Sequence, residues 1–395
     1  MAKNILVSVA SVFCGLLIIE IALRILGWTS PVFAQPDSTL GWSFRPSISG
    51  WSIHENSAYL SINRFGFRGS DWPKEPAPGK FRVAVIGDSM VDSSNLPDDH
   101  AFTNVIEKYL ATCSALGTGR AEVLNLGVSG YGSAQEYLLL QRAVEDFHPH
   151  LSLLVFYVGN DVADNTRSLT LEAQQARPYF VELPSGRLQL DTSFRESDGF
   201  RKALSSDWLA RLVNRSYLLQ AMKQVRLGKS IAPWPKSLQV AYDQGEHENI
   251  RFGPQYPQLF SPPADDVWSS AWSISEKLLV KMRDWTVSKG SEFALVILPE
   301  PIQALPTPGW RHAVAQKFEL PDMDYPIERI ARVAALNAIP FLNLLGPLRD
   351  FADSQGVFLY GFPPQLGEGH LNATGTEVSG RAIASWLCER AAQKP

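Results

Sequence analysis

The chain has 395 residues, of which 45% are hydrophobic, and a formal charge of −4 at neutral pH. That length suits one large domain with insertions or two smaller ones, with ample material for a dry core. The mild acidity and the lack of any Lys/Arg-rich run or basic–aromatic stripe exclude a nucleic-acid-binding footprint, and three distant cysteines without a CxxC pair exclude a zinc ribbon.

The N-terminus is the first readable element. From Ile5 to Trp28 the chain is almost wholly apolar, long enough to cross a bilayer as a helix. Glu20 and Arg24 interrupt it at i,i+4 spacing, where they can pair on one face. Lys3 adds a weak positive-inside signal. The stretch exceeds a usual signal-peptide h-region, so residues 1–28 read as an uncleaved transmembrane signal-anchor. The competing reading is cleavage after Val32-Phe33-Ala34. Either way the remainder is expected outside the cytoplasm, in the periplasm or at the cell surface. A Cys113–Cys388 disulfide would need that oxidising setting, and sequence leaves it open.

Residues 29–79 form an extension rich in Pro, Gly, Ser and Trp, with a hairpin expected over 58–72 around Asn63-Arg64-Phe65-Gly66. A rhythm then begins. "FRVAVIGDS" is a continuous apolar strand, and helical spacing follows over 101–113. "AEVLNLGVSGYG" (121–132) is strand then turn, 133–147 helix, and "LSLLVFYVGND" (151–161) strand then turn. Apolar strands without polar alternation, separated by helices, predict a parallel sheet covered on both faces. The rhythm breaks over about 165–265, read as an insertion holding a hairpin in "ARPYFVELPSGRLQLD" and a helical segment over 206–225. It resumes with a helix over 268–288, a strand over 293–301, a helix over 324–337 and a strand over 340–345. The loop "GFPPQLGEGHLNATG" leads into the last helix. The main domain is therefore 80–395.

Loops at the carboxyl ends of parallel strands share one side of the sheet, where ligands bind. Ser89 in "GDS" offers a hydroxyl at a strand-to-helix turn. Gly130 in "GVSGYG" would admit a backbone N–H close to substrate, and Asn160 in "GND" offers an amide donor. His370 in "GEGHLN" offers a base that titrates near neutrality. Ser129 is a rival nucleophile, but Tyr131 occupies the last position of a GxSxG elbow. Asp88 and Asp161 read as turn acids accepting backbone N–H groups. His148 and His150 read as helix-end residues rather than metal ligands. No cofactor motif is found.

In this order the four blocks resemble the SGNH hydrolase family of GDSL-type esterases, and the apolar leader with "INRFGFRG" is similar to a membrane-anchored bacterial branch. The resemblance implies a three-layer αβα, flavodoxin-like fold and a serine esterase. It places Ser89 as nucleophile, His370 as base, and Ser89, Gly130 and Asn160 as the oxyanion hole. The family's usual Asp, three residues before the histidine, is Gly367 here. Glu368 is the nearest carboxylate and the expected orienter of His370; a Ser–His dyad is the alternative. The implied activity is hydrolysis of a small-molecule or polysaccharide ester, for instance an acetylated carbohydrate. An O-acyltransferase using the same site and a catalytically silent, anchored polysaccharide-binding protein are the competing readings.

Overall fold

The computed structural model describes residues 2–117, 119–228, 240–243 and 250–393. Five strands form the central sheet: β1 (Phe81–Gly87), β2 (Ala121–Gly127), β3 (Leu151–Tyr157), β4 (Glu292–Leu298) and β5 (Phe341–Asn343). All pair in parallel, in the order β2-β1-β3-β4-β5. This is the flavodoxin-like order, with its switch point between β1 and β3.

Alternate residues of each strand enter opposite layers, as a pleat demands. Ile86, Leu126, Phe156 and Ile297 pack with the helices Ser133–Phe147, Asp266–Ser288 and Tyr325–Leu336. Val85, Val123, Val155 and Val296 pack on the other face with Phe102–Leu110, Leu345–Gln355 and Ala373–Ala392. Each such side chain contributes about 1.5–3 kcal/mol relative to exposure, so the apolar strand pattern fixes the three-layer architecture. A Cys113–Cys388 disulfide joins the segment just after the helix Phe102–Leu110 to the last helix.

The N-terminal helix, Ala2–Ile25, stands with its apolar side chains exposed, and Glu20 and Arg24 pair on it. The extension that follows differs from its expected form. Strand Ser57–Ile62 pairs antiparallel with Ile48–Ile53, and residues 54–56 make the turn. Asn63–Gly66 is a second turn, closed by an isolated Ile62–Arg68 bridge. The partner strand "ISGWSI" was hard to see because serine and glycine blur its alternation. In the insertion the expected hairpin is Tyr179–Glu182 with Leu188–Asp191. The single helix expected over 206–225 is two, Asp198–Arg215 and Tyr217–Arg226. Ser216 is extended between them, and its Oγ accepts the Leu219 N–H, an N-cap that ends one helix by starting another. Parts of the insertion, 229–239 and 244–249, lie outside the described residues.

Candidate active site

β1 ends at Gly87, and the chain turns into a single helical turn, Ser89–Asp92. Asp88 caps that turn: its carboxylate accepts the Met90 N–H at 2.9 Å, as a turn acid should. That helix is a single turn, too short for a macrodipole to act on Ser89. Position comes instead from neighbouring blocks. Asn125, in β2, donates to Val91 O at 3.0 Å. Arg68, almost wholly buried, donates to Leu96 O at 2.6 Å, to Asp92 O at 3.1 Å and to Ser93 O. "INRFGFRG" thus works as a clamp on the loop behind the serine.

His370 sits in the strand Gln365–Leu371, which pairs antiparallel with Tyr360–Phe362 before the last helix. Its Nε2 lies 2.8 Å from Ser89 Oγ. Its Nδ1 lies 3.0 Å from Glu55 Oε1, and its backbone N–H donates to Glu55 Oε2 at 3.2 Å. Asn95 Nδ2 also donates to Glu55 Oε2, at 3.2 Å. The carboxylate on the imidazole is therefore Glu55, at the tip of the N-terminal hairpin, and not Glu368. Glu368 lines the cavity alongside the relay.

Two glycines explain this exchange. Gly369 has φ +74°, and a Cβ there would fall 2.5 Å from Glu55 Oε1, so only glycine lets the hairpin tip come so close. Gly367, where the family's Asp would stand, has φ +79°, and a Cβ there would fall 2.9 Å from Leu305 Cδ2 and 3.0 Å from Phe252 Cζ, closer than van der Waals contact. A side chain is excluded from the usual position, and the acid arrives from the other end of the chain.

Electrostatics follow from this contact. Burial disfavours a charged imidazole, but the hydrogen bond and charge of Glu55, with Asp88 and Asp92 behind, outweigh it and raise the His370 pKa above its ordinary value. Burial works against the Glu55 carboxylate too, and the hydrogen bonds from His370 outweigh it, lowering its pKa. Ser129, the rival nucleophile, donates its hydroxyl to Asp92 rather than to an imidazole. His148 ends the helix Ser133–Phe147 in a left-handed conformation, and His150 Nδ1 accepts the Arg82 N–H at 3.0 Å.

Ser89, Gly130, Asn160 and His370 line one cavity of about 840 Å³. Asn160, just after β3, places Nδ2 3.2 Å from Asp88 Oδ2 and 3.4 Å from Asp164 Oδ2. Behind it lies an acid cluster that sequence reading did not find: buried Asp88, Glu136, Asp161 and Asp164, with Arg177 ion-paired to Asp164 at 3.2 Å. Burial first, then mutual repulsion, raises Glu136 and Asp161 well above the carboxylate range, and burial pushes Asp88 up to about 6. Asp161 Oδ2 still accepts the Tyr157 N–H at 2.8 Å, its expected turn role. In the cavity wall, burial also pushes Glu300 up to about 8.

Neither oxygen of Glu136 has a hydrogen-bond partner among the described residues. Its raised pKa makes it a stability liability: the unfolded chain ionises first as pH rises, so stability is lost from the unfolded carboxylate pKa upward. Glu136→Gln, which mimics the neutral acid, should melt like wild type at about pH 4 and at a higher temperature at about pH 8. Thermal unfolding at the two pH values reads this. A lower Tm at both would mean an ionised Glu136 held by Arg177.

No family model and no curated protein matches the chain. Among solved structures it is similar to a lipolytic protein of the G-D-S-L family from Desulfitobacterium hafniense, at 13% identity over 78% of this chain and 99% of that one, with a TM-score of 0.36. It is likewise similar to an acetyl xylan esterase, at 11% identity over 78% and 99%, with a TM-score of 0.39. A lipase/acylhydrolase from Enterococcus faecalis gives 14% identity over 78% and 96%, with a TM-score of 0.34. Likeness this loose carries no argument about activity. What the strand order and the cavity define is an α/β protein of flavodoxin-like topology. Around one cavity it carries the serine, glycine, asparagine and histidine for which the SGNH hydrolases are named, and in that set it resembles them.

Proposed function

We propose that the chain is an ester hydrolase of SGNH type, with Ser89 as nucleophile, His370 as base and Glu55 as the acid of the triad. The observation that carries this is the continuous relay from Ser89 Oγ through both imidazole nitrogens to Glu55, at 2.8 Å and 3.0 Å. His370 takes the Ser89 proton as Oγ attacks the ester carbonyl. The backbone N–H groups of Ser89 and Gly130 and the Asn160 amide receive the oxyanion, and His370 then protonates the leaving alcohol. Water, activated by the same imidazole, releases the acid.

The absence of Asp at 367 and the large insertion were the motives for a catalytically silent reading, and Glu55 beside His370 speaks against the first of them. Asn95, Gln174, Gln255, Gln365 and Glu368 line the cavity with amides and a carboxylate, chemistry that suits a hydroxyl-rich alcohol such as a sugar. The substrate we favour is an acylated, in particular acetylated, carbohydrate. A retained anchor is supported by the residues after it. Thr29 Oγ1 and the Ser30 N–H each donate to Gln220 at 2.7 Å, and the Val32 N–H donates to Asn214 at 2.7 Å. Cleavage after Ala34 would remove packing built into the body. The Cys113–Cys388 bridge agrees with an extracytoplasmic body.

Full-length protein in detergent should hydrolyse p-nitrophenyl acetate faster than longer-chain esters, and should release acetate from an acetylated polysaccharide. Asn160→Ala should lower kcat by about 10²–10³-fold with little change in KM, since an oxyanion donor acts mainly on the tetrahedral state. Hydrolysis of simple esters without acetate release would overturn the carbohydrate reading alone. A pure KM effect would make Asn160 a substrate-binding residue instead.

A further inference from the structure

The insertion exposes more apolar side chain than a soluble surface needs. On the helix Asp198–Arg215, Leu204, Trp208 and Leu212 recur at i, i+4 and i+8 and are 61%, 62% and 46% exposed. On Tyr217–Arg226, Met222 and Val225 are 56% and 58% exposed. Single exposed apolar residues need no explanation, but a stripe along two consecutive helices does. The same stretch is basic although the chain is acidic. Between 198 and 228 it carries Arg201, Lys202, Arg211, Arg215, Lys223 and Arg226 against Asp198 and Asp207. Asp207 is buried against Arg45 and Arg211.

The junction of these helices is bonded to the apolar N-terminal helix. Glu20 accepts from Ser216 Oγ at 2.8 Å and from the Leu218 N–H at 2.7 Å. Arg24 Nη2 donates to Arg215 O at 2.7 Å, with the guanidinium 4.7 Å over the Tyr217 ring. Glu20 stands five residues before Ile25, the end of that helix, so the junction meets it about 8 Å short of its end. Glu20 is also the first charge after the uncharged run from Asn4 to Ile19. The two helices therefore meet at the level where a span would leave the hydrocarbon.

We propose that Asp198–Arg215 and Tyr217–Arg226 form a platform that lies in the headgroup layer of an anionic bilayer beside the anchor. Leu204, Trp208, Leu212, Met222 and Val225 enter the lipid, and the basic side chains meet phosphates. An apolar stripe edged by basic residues is the composition of an interfacial helix, and each basic residue near an anionic surface adds attraction. The body is then held against the membrane in one orientation instead of swinging on a tether. This rests on reading Ala2–Ile25 as a membrane span.

The test uses full-length protein in vesicles of phosphatidylethanolamine and phosphatidylglycerol. A nitrobenzoxadiazole label goes on native Cys14, which is the free, exposed thiol among the described residues and lies in the span. In separate Cys14→Ser proteins the label goes on Trp208→Cys or on Leu336→Cys, the latter an exposed position outside the platform. Leu204→Cys replaces Trp208→Cys should that variant misfold. Lipid carrying a nitroxide near the headgroup should quench the labels at 14 and 208 several-fold more than the label at 336. Quenching at 208 should fall in vesicles of phosphatidylcholine alone. Quenching at 14 but not at 208 would overturn the platform and leave the anchor standing. No quenching at either would overturn both. A label at 208 shielded from lipid nitroxide and aqueous iodide alike would mean a second copy or another protein covers the face, and would overturn the proposal. Equal quenching in both lipid mixtures would overturn its electrostatic half.

Discussion

Ser89→Ala should lower kcat for ester hydrolysis on the order of 10⁶-fold, to the level that binding and oxyanion donors alone sustain. The size of the loss follows from the lack of a substitute. Ser129, the nearest other candidate, has its hydroxyl on Asp92, with no imidazole to take its proton. Ser94 lines the cavity, but the group within 2.8 Å of His370 Nε2 is Ser89 Oγ. Folding should be unaffected, because Ser89 is only half-buried and its hydroxyl takes no part in capping the turn, which Asp88 does. An unchanged Tm beside a lost rate is the expected pair of results. Residual turnover within tenfold of wild type, by contrast, would remove Ser89 from the mechanism.

Glu55→Gln carries the second-largest expected effect, a kcat loss on the order of 10²–10⁴-fold, the range known for neutralising a triad acid. The glutamine amide donates to Nδ1 and so favours the tautomer with the proton on Nε2, where it blocks acceptance from serine. The pH profile separates this role from a merely structural one. His370 must be neutral to act as base, so its pKa sets the acidic limb of kcat/KM. Glu55 raises that pKa, so its loss should move the limb to lower pH. Glu368→Gln should leave both kcat and the limb as they are. A kcat loss without a limb shift in Glu55→Gln would mean that the residue only holds the hairpin tip near Asn95. A limb shift in Glu368→Gln would return the triad role to the sequence neighbour.

The sheet and the blocks of Ser89, Gly130 and Asn160 were legible because each lies at the end of an apolar strand, where local pattern and chemistry coincide; His370, expected in such a loop, lies instead in a hairpin strand outside the central sheet and was legible from its motif alone. Ser89, Gly130, Asn160 and His370 meet around one cavity because the topology brings those ends together. Glu55 was not legible for a physical reason. It is 315 residues from His370, and no periodicity relates a hairpin turn to a strand so far along the chain. Gly367 and Gly369 were the available signal: two glycines beside the base leave room for an acid from elsewhere. The buried acids behind Asn160 were equally hidden, since Glu136 sits in a regular helix and only tertiary packing denies it water. The split at Ser216 was readable in principle from its N-cap chemistry. The exposure of Trp208 was not, because an apolar residue in a helix is expected to find a core.

Whether Ser89 is a nucleophile activated by His370 and Glu55 is tested most directly by a fluorophosphonate probe, which needs no knowledge of the substrate. Incubated with full-length protein at neutral pH and followed by peptide mass spectrometry, the probe should modify the peptide bearing Ser89. Labelling should vanish in Ser89→Ala and slow by orders of magnitude in Glu55→Gln. Modification of Ser129 or Ser94 instead, or labelling of Ser89 at the same rate with Glu55 neutralised, would contradict the account.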